Sequence, residues 1–250
     1  MTGKANGPRN QLADNERKLG SEALKGEFVA RHLPQSVDLI VACGMPRAGS
    51  TWLYNAVRLL MIASGKSVYS CWINDFDINA ATRAEVVVVK IHDKSDALSR
   101  RARKILTCHR DLRDVARSAV DMEFVPSENV VVPYLRDCIE VHAFWVAKAH
   151  MDIRYEGINE NAEGLIGEMM EVLGVVPSAA ACGGIARSLA RLESPAEVGA
   201  EGHDSTTLMH VRHRLDGRWG SWEGALGAHT VAAISVEFGE WLSRYGYIVG

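Results

Sequence analysis

A nearly unbroken run of β-branched residues at 86–92 constrains the fold more than any other feature of the sequence. It reads Val-Val-Val-Val-Lys-Ile-His, and runs of this kind are typical of strands buried on both faces of a parallel sheet. Shorter β-rich runs occupy 36–43, 105–108 and 151–155. Apolar residues at helical spacing predict helices over 50–63, 111–122, 134–150, 160–173 and 229–244. Strands separated by helices predict an α/β fold, with a doubly wound, mainly parallel sheet flanked by helices.

The length of the chain predicts one large domain or two small ones, and its composition excludes a fibre or a disordered chain. Of the 250 residues, 47% are hydrophobic and 24% are charged, which is ordinary for a protein with a sizeable core. The formal net charge of −3 argues against nucleic acid or a membrane surface as a partner. We assign 1–35 to an N-terminal helical or irregular extension and 36–250 to the domain. Within the domain the least regular stretches are 64–85, 123–133 and 191–227.

The cysteines and the absence of targeting patterns predict a cytoplasmic protein. Five cysteines are widely spaced and form no C-x-x-C pair, which favours reduced thiols over disulfides or a zinc site. The first 35 residues contain no continuous apolar core of a signal peptide. No stretch approaches the ~18 uncharged apolar residues of a spanning helix.

Three predicted strands end in polar or glycine-containing segments, at 44–51, 90–95 and 109–118. In a doubly wound sheet, ligands bind beyond the carboxyl ends of the strands. We therefore expect the functional groups of this chain in these three segments.

The segment 44–51, Gly-Met-Pro-Arg-Ala-Gly-Ser-Thr, has the features of a phosphate-binding loop. Glycines five residues apart between a strand and a helix allow backbone N–H groups to surround an anion at the helix N-terminus. In an ATPase-type loop a lysine follows the second glycine, but this chain has Ser50 there, and its cation is Arg47. The alternative interpretation is a strand–helix turn that binds no ligand.

A second anion-binding element is predicted between 100 and 118, where seven basic residues stand against two acidic ones. Arg100, Arg101 and Arg103 fit a solvated helix face. Arg110 instead lies where a strand passes into a helix, and Ser118 follows on that helix. A guanidinium and a hydroxyl so placed can bind one phosphate together, the arginine in bidentate fashion.

Five segments, in order, resemble the motifs of sulfotransferases, which use 3′-phosphoadenosine 5′-phosphosulfate (PAPS) and release adenosine 3′,5′-bisphosphate (PAP). The first is similar to the family's phosphosulfate loop P-[KR]-[SA]-G-[ST]-[ST]-W, the second to its catalytic strand end and the third to its 3′-phosphate segment. The fourth resembles its [LV]-R-Y-E-D segment and the fifth its late glycine-rich loop. They lie at Pro46–Trp52, Val89–His92, His109–Ser118, Ile153–Gly157 and Gly217–Leu226.

The resemblance implies a P-loop-like nucleotide-binding fold, PAPS as the donor and PAP as the product. It implies that Tyr155 lies near the adenine and that an arginine of the late loop meets the 3′-phosphate. Arg212, Arg214 and Arg218 compete for this last role, and we favour Arg214. The implied nucleotide-binding residues are Arg47, Ala48, Gly49, Ser50, Thr51, Trp52, Arg110, Ser118, Tyr155, Arg214 and Gly217.

The implied reaction moves a sulfuryl group to a hydroxyl of a small-molecule or carbohydrate acceptor. Lys90 and Arg47 are placed to stabilise charge on the transferred group, and Arg47 replaces the lysine common in the family's cytosolic members. His92 is the predicted general base because an imidazole with a pKa of about 6.5 accepts a proton near neutral pH. Asp93 is the competing base. This chemistry requires no metal.

Two alternatives come from other functional classes. A P-loop kinase or NTPase is disfavoured by the missing lysine after Gly49, and a non-catalytic nucleotide-binding relative is disfavoured by the presence of Lys90 and His92. A metal site at His203, His210 and His213 is a minor possibility, since the spacing is not that of a zinc site. No feature of the sequence specifies the acceptor or the oligomeric state.

Overall fold

A computed structural model describes residues 22–176, 178–195, 202–210 and 219–247. Over these residues the chain forms a five-stranded sheet in which every pairing is parallel. The strands are β1 (Asp38–Cys43), β2 (Val68–Trp72), β3 (Val86–Ile91), β4 (Lys104–His109) and β5 (Met151–Arg154). Their spatial order is β2-β3-β1-β4-β5, so that β1 lies in the centre between β3 and β4.

Helices connect the strands and cover both faces of the sheet. The first described helix, α1, spans 22–32. It is followed by α2 (Ser50–Ala63), α3 (Ile78–Ala81), α4 (Asp96–Arg101), α5 (Leu112–Asp121), α6 (Val131–Val146), α7 (Gly157–Leu173), α8 (Ala179–Ala190) and α9 (Ala228–Arg244). None of these described helices combines the length and hydropathy needed to cross a membrane.

Each face of the sheet has its own hydrophobic core, which is why β3 is apolar at nearly every position. Val86 and Val88 pack on one face with α2, α5 and α7, whereas Val87, Val89 and Ile91 pack on the other with α1, α4 and α6. The prediction of a doubly wound parallel sheet is therefore confirmed.

Some sequence-based boundaries were wrong. The stretch 64–85 contains the edge strand β2, and 179–190 forms α8, for which the sequence analysis predicted no helix. Helix α6 begins at Val131 instead of 134 because Pro133 lies in its first turn, where a proline removes no helical hydrogen bond. The boundary at residue 35 stays a prediction. Helix α1 packs Val29 into the core of the domain, so this part of the extension is integral to the fold.

Gly44 lies at the point where the chain leaves β1, and its lack of a side chain is a steric requirement. Its φ is +146°, and a Cβ there would come within 2.8 Å of the Cys108 carbonyl oxygen on β4. Gly65 also has a positive φ, +79°, but a Cβ there would meet nothing within 4 Å. Gly44→Ala should cost roughly 2–4 kcal/mol of unfolding free energy, through strain and overpacking, and Gly65→Ala about 1 kcal/mol, through strain alone.

Chemical denaturation of both variants measures the difference. Equal losses of unfolding free energy in the two variants would show that β1 and β4 can move apart at no cost. That result would contradict the steric requirement for glycine at position 44.

Candidate active site

The three polar segments predicted from the sequence meet at the carboxyl edge of the sheet. They follow β1, β3 and β4, which are neighbours in the order β3-β1-β4. The register sets Ala42 of β1 beside Lys90 of β3. Lys90 and the loop after β1 are therefore neighbours, although they are distant in sequence.

The loop after β1 is held in a strained conformation. Arg47 has a φ of +65°, which a residue other than glycine adopts only where its surroundings enforce it. Gly49, with φ +90°, is the N-cap of α2 and provides no side chain to cap the helix. A Cβ on Gly49 would lie 2.5 Å from the ring of Tyr155, so glycine allows Tyr155 to pack against this loop.

Arg47 joins this loop to α5. Its Nε donates a hydrogen bond of 2.9 Å to Ser118 Oγ, and its guanidinium lies over the ring of Phe124 at 5.2 Å. Burial lowers the pKa of Arg47, and the nearby charge of Arg110 contributes to this effect. The Arg47 guanidinium therefore lies against the hydroxyl predicted for the phosphate site of Arg110.

Arg110 is buried at the start of α5, with 8% of its surface exposed. Its guanidinium carbon lies 4.3 Å from the centre of the Tyr155 ring, and its NH1 is 3.5 Å from the Arg47 carbonyl oxygen. Asp114, one helical turn further, is 3.9 Å from Arg110 NH2. Arg110, Tyr155 and the loop after β1 thus form one packed unit, and the assignment of Arg110 and Tyr155 to a nucleotide stays a prediction.

Lys90 brings a buried ammonium group to the first turn of α2. Its Nζ donates a hydrogen bond of 2.8 Å to Thr51 Oγ1, and only 6% of the residue is exposed. Burial lowers the pKa of Lys90 to about 8, and the charge of Arg47 adds to the shift. Two cations therefore repel each other beside a helix N-terminus, where an anion would stabilise both.

His92 follows β3 with its ring oriented by two contacts. Its Nδ1 is 3.1 Å from the Gly44 carbonyl oxygen, and its Nε2 is 3.4 Å from Ser50 Oγ. A carbonyl only accepts hydrogen bonds, so we assign the proton to Nδ1, and Nε2 carries the lone pair. Burial and the charge of Lys90 lower the pKa of His92 to about 3, and the ring is therefore neutral at physiological pH.

Asp114 holds the late loop against α5. Its fully buried carboxylate accepts hydrogen bonds from Gly220 N at 2.8 Å, Ser221 Oγ at 2.7 Å and Trp222 N at 3.2 Å. The Arg113 guanidinium covers the Trp222 ring at 4.3 Å. Ser221, which stands where the family motif has aspartate, thus acts as a hydrogen-bond donor to Asp114.

Sequence analysis did not assign three residues that brace the loop after β3. Trp145 Nε1 donates to the Asp93 carbonyl oxygen at 3.0 Å. Glu22 Oε2 accepts from the backbone N–H groups of His92 and Asp93, and its Oε1 accepts from Trp72 Nε1. These bonds join a side chain to a partner distant in sequence, and most involve backbone groups, so no local motif could reveal them.

The segment 202–210 packs beside the same edge of the sheet. His203 Nε2 contacts Asp75 Oδ2 at 2.9 Å, and His210 Nδ1 contacts the Gly202 carbonyl oxygen at 2.7 Å. The charges of Lys90 and Arg47 contribute to a lowered pKa of His210, behind the larger effect of its burial. His210 therefore lies within the electrostatic reach of the site, and the sequence analysis had considered it only as a minor metal candidate.

One group of described residues has the side chains of a metal site, namely His109, His142 and Asp152. Asp152 accepts from His109 Nδ1 at 3.0 Å and from His142 Nε2 at 3.2 Å. His142 Nδ1 is buried and has no hydrogen-bond partner among the described residues. A metal on Nε2 would put a proton on this nitrogen with no acceptor for it, so the group fits a hydrogen-bonded cluster better than a metal centre.

The remaining predicted residues have different locations. Trp52 is 3% exposed and packs in the core, and its role in nucleotide binding stays a prediction. Arg101 donates to the Pro34 and Val37 carbonyl oxygens, and Arg103 pairs with Asp38, so both hold the opposite edge of the sheet. Four predicted binding residues and one histidine lie outside the described residues: Arg212, Arg214, Gly217, Arg218 and His213.

Comparison with known proteins identifies the fold. No family model and no curated protein sequence matches the chain. Among solved structures, mouse sulfotransferase SULT7A1 complexed with PAP aligns with a TM-score of 0.63 at 17% identity, over 90% of this chain and 91% of that one. The chain has the sulfotransferase fold.

Two structures of retinol dehydratase share this fold. One, in complex with androsterone and inactive cofactor PAP, has a TM-score of 0.55 at 15% identity and covers 89% of this chain and 85% of its own. The other, with retinol and PAP, has a TM-score of 0.53 at 14% identity, over 88% and 85%. The sulfotransferase fold is therefore shown by backbone geometry, at low sequence identity.

Within this fold the arrangement can bind an anion and accept a proton. Lys90, Arg47 and Arg110 supply positive charge around the N-terminus of α2. The Nε2 lone pair of His92 lies beside Ser50, at the edge of that charged region.

The lowered pKa of Lys90 predicts a pH dependence of stability. Folded Lys90 titrates near 8, whereas the ordinary value for the unfolded chain is 10.5. Between these pH values the unfolded chain binds more protons, so the free energy of unfolding rises with pH, by up to about 3 kcal/mol from this residue. Lys90→Met should lose this contribution, measured as the difference between its curve and that of the wild type in denaturant titrations from about pH 7.5 to 10.5. Buried cysteines with raised pKa values lower the stability of both proteins alike in the upper part of this range.

The matched control is Lys66→Met, which removes an exposed lysine paired with Glu85. This variant should keep the rise. Identical curves for Lys90→Met and the wild type would contradict the assignment of this titration to Lys90.

Proposed function

We propose that this protein is a sulfotransferase that moves a sulfuryl group from PAPS to a hydroxyl of a small-molecule acceptor. The observation that carries the proposal is the buried pair of cations at the start of α2, Lys90 against Thr51 and Arg47 against Ser118. When bound, PAPS supplies an activated sulfuryl group, and PAP is the product that leaves. The neighbours with this fold were solved with PAP, which supports the same nucleotide here.

The residues at this edge of the sheet fit a doubly charged adenosine nucleotide. Two buried carboxylates of the site, Glu22 and Asp114, hold backbone N–H groups of loops; the charge of Glu22 also acts on Lys90, and Asp114 is 3.9 Å from Arg110. Lys90 and Arg47 therefore keep much of their positive charge for a ligand. An anion that replaces their mutual repulsion by attraction offsets the cost of burying them.

The two ends of the nucleotide would meet different members of this group. Arg110 and Ser118 are the residues we assign to the 3′-phosphate, with Arg47 close enough to contribute because it contacts Ser118. Lys90 and the first N–H groups of α2 are assigned to the transferred group. Tyr155, whose ring stacks on Arg110, is assigned to the adenine side.

His92 is assigned as the general base. Its Nε2 carries the lone pair because Nδ1 donates to Gly44, and this lone pair accepts the proton of the attacking hydroxyl. Burial is the main cause of the pKa of about 3, and the charge of Lys90 adds to it. A dianion beside Lys90 and Arg47 offsets the second effect, and so the pKa of His92 rises when the donor is bound.

A hydroxyl-bearing small molecule is the acceptor class that we favour. Androsterone and retinol, named in two neighbouring structures, are both alcohols. The segment 202–210 contacts α2 through Tyr54 and Asn55, and its His210 lies within electrostatic reach of His92. A carbohydrate acceptor stays a prediction.

The cytoplasmic location also stays a prediction. All five cysteines are free and buried, which is consistent with a reducing compartment.

The kinase or NTPase alternative is disfavoured by the partner of Thr51. In a P-loop NTPase the hydroxyl at this position coordinates Mg²⁺, and a loop lysine reaches the terminal phosphates. Here the Thr51 hydroxyl accepts a hydrogen bond from Lys90 Nζ at 2.8 Å. A protein cation thus already contacts the hydroxyl that would bind the metal, which supports transfer without a metal.

Nucleotide binding should discriminate on the 3′-phosphate. We expect PAP to raise the melting temperature more than adenosine 5′-phosphate or Mg·ATP, because only PAP carries the 3′-phosphate that we assign to Arg110. Arg110→Ala should weaken PAP binding about 10- to 100-fold, as estimated for a lost charge-assisted hydrogen bond, and change the affinity for adenosine 5′-phosphate little.

Arg103→Ala is the control for that experiment because Arg103 pairs with Asp38 at the other end of β1. It should leave both affinities unchanged. Stronger stabilisation by Mg·ATP than by PAP would contradict the proposed donor.

Substitution of His92 should separate chemistry from binding. His92→Ala should reduce transfer from PAPS by about 10²–10⁴-fold, the range for a general base, and leave the Kd for PAP within about threefold. Product formation with labelled PAPS and an acceptor library measures the first quantity, and calorimetry the second. His32→Ala, an exposed histidine on α1, is the matched control. Equal losses of transfer and PAP binding would instead make His92 a structural residue.

A further inference from the structure

Glu22, at the start of the described part of α1, makes contacts to which the proposed function assigns no role. Its side chain is buried, with 2% of the residue exposed. Oε2 accepts hydrogen bonds from His92 N at 2.7 Å and Asp93 N at 3.1 Å, and Oε1 accepts one from Trp72 Nε1 at 3.0 Å. One carboxylate therefore joins the end of β3, the end of β2 and a helix 70 residues away in sequence from His92.

Only a carboxylate satisfies these three donors. Glutamine has a single acceptor oxygen, and its amide nitrogen would face another N–H group whichever way it is turned. The charge is costly: burial raises the pKa of Glu22 to about 7, with repulsion from Asp93 adding to the shift and the three hydrogen bonds opposing it. Lys90 is the charge of opposite sign that faces it.

We infer that Glu22 is a positioning residue, which fixes the backbone at His92 so that the imidazole lies between Gly44 and Ser50. The inference rests on the proposed role of His92. The ring is held at Nδ1 by the Gly44 carbonyl oxygen, and its main chain is held by Glu22. With the second anchor removed, the ring pivots about the first, and Nε2 leaves its place beside Ser50.

The same argument assigns α1 to the active site. The sequence analysis placed this helix in an N-terminal extension, yet it supplies the carboxylate that sets the end of β3. Trp145, from α6, holds the following carbonyl at Asp93, so the loop is fixed on both sides. Misplacement of a reacting group by about 1 Å can reduce a rate about 10²-fold, so a remote anchor of this kind affects catalysis directly.

The test compares Glu22→Gln with three other variants. Trp72→Phe removes the indole N–H, so the double variant Glu22→Gln/Trp72→Phe no longer sets the glutamine amide against a donor. Glu27→Gln changes an exposed glutamate on the same helix. Val29→Ala weakens the packing of α1 in the core without touching Glu22.

For Glu22→Gln we expect kcat to fall about 10- to 100-fold, with the Kd for PAP within about twofold of the wild type. The double variant should recover at least a third of the decrease in log kcat that Glu22→Gln causes. Val29→Ala should lower the melting temperature but keep kcat when assayed below its unfolding transition, and Glu27→Gln should change neither. A loss of kcat in Val29→Ala equal to that in Glu22→Gln would overturn the inference, because general loosening of α1 would then explain it.

Hydrogen exchange tests the anchor without any assay of transfer. In Glu22→Ala the backbone amides of His92 and Asp93 should exchange at least tenfold faster than in the wild type, while those of Val87 and Val89 inside β3 change little. Unchanged protection of both amides would overturn the inference. The two hypotheses can fail separately. If the wild type transfers no sulfuryl group but Glu22→Ala still loses protection at His92 and Asp93, the proposed function is refuted and the anchor stands.

Discussion

The parallel pairing of β1 with β3 on one side and β4 on the other determines where every polar group of the site lies. Parallel strands end on the same edge, so the segments that follow these three strands must meet there. The register that sets Ala42 beside Lys90 brings an ammonium group to the first turn of α2. Gly44 permits the close crossing to Cys108, and the loop that carries Arg47 begins from that point.

Electrostatics explains why these groups suit an anionic ligand. Lys90 is buried beside Arg47, and the lowered pKa of both residues records the cost of that burial and repulsion. The charge of Glu22 offsets part of this cost for Lys90, and both Glu22 and Asp114 also hold backbone N–H groups of loops. The carboxylates therefore hold the loops of the site, and the cations give it a charge that suits an anion. This division of roles is a consistent basis for sulfuryl transfer without a metal.

Sequence patterns predicted the main elements well where one physical signal dominated. The run Val86–Ile91 identified a strand buried on both faces, and the spacing of apolar residues predicted α2 with its observed ends, Ser50–Ala63. The strand Val68–Trp72 was missed because its residues are mostly half-buried at the sheet edge, so they show no continuous apolar run. Helix α8 was missed because alanines and glycines give a weak apolar periodicity.

In the candidate site, too, some features were predicted from the sequence and others were not. Residue type and position indicated an anion site at Arg47 and Arg110, near strand ends, and at Ser118, within α5. The roles of Lys90 and His92 were implied by the resemblance to the motifs of a known family. The partnership of Arg47 with Ser118, and the neutral ring of His92, depend on distances that spacing does not encode.

By itself, then, the sequence determined the alternation of strands and helices and the residues that carry charge at the strand ends, because these follow from local periodicity and side-chain chemistry. Only the tertiary structure decided that Glu22 anchors the loop at His92 and that Asp114 holds the late loop. The physical reason is that both carboxylates bind mainly backbone N–H groups, which every residue except proline possesses. Such a contact does not depend on the residue type of the partner and therefore cannot be recognised in the sequence.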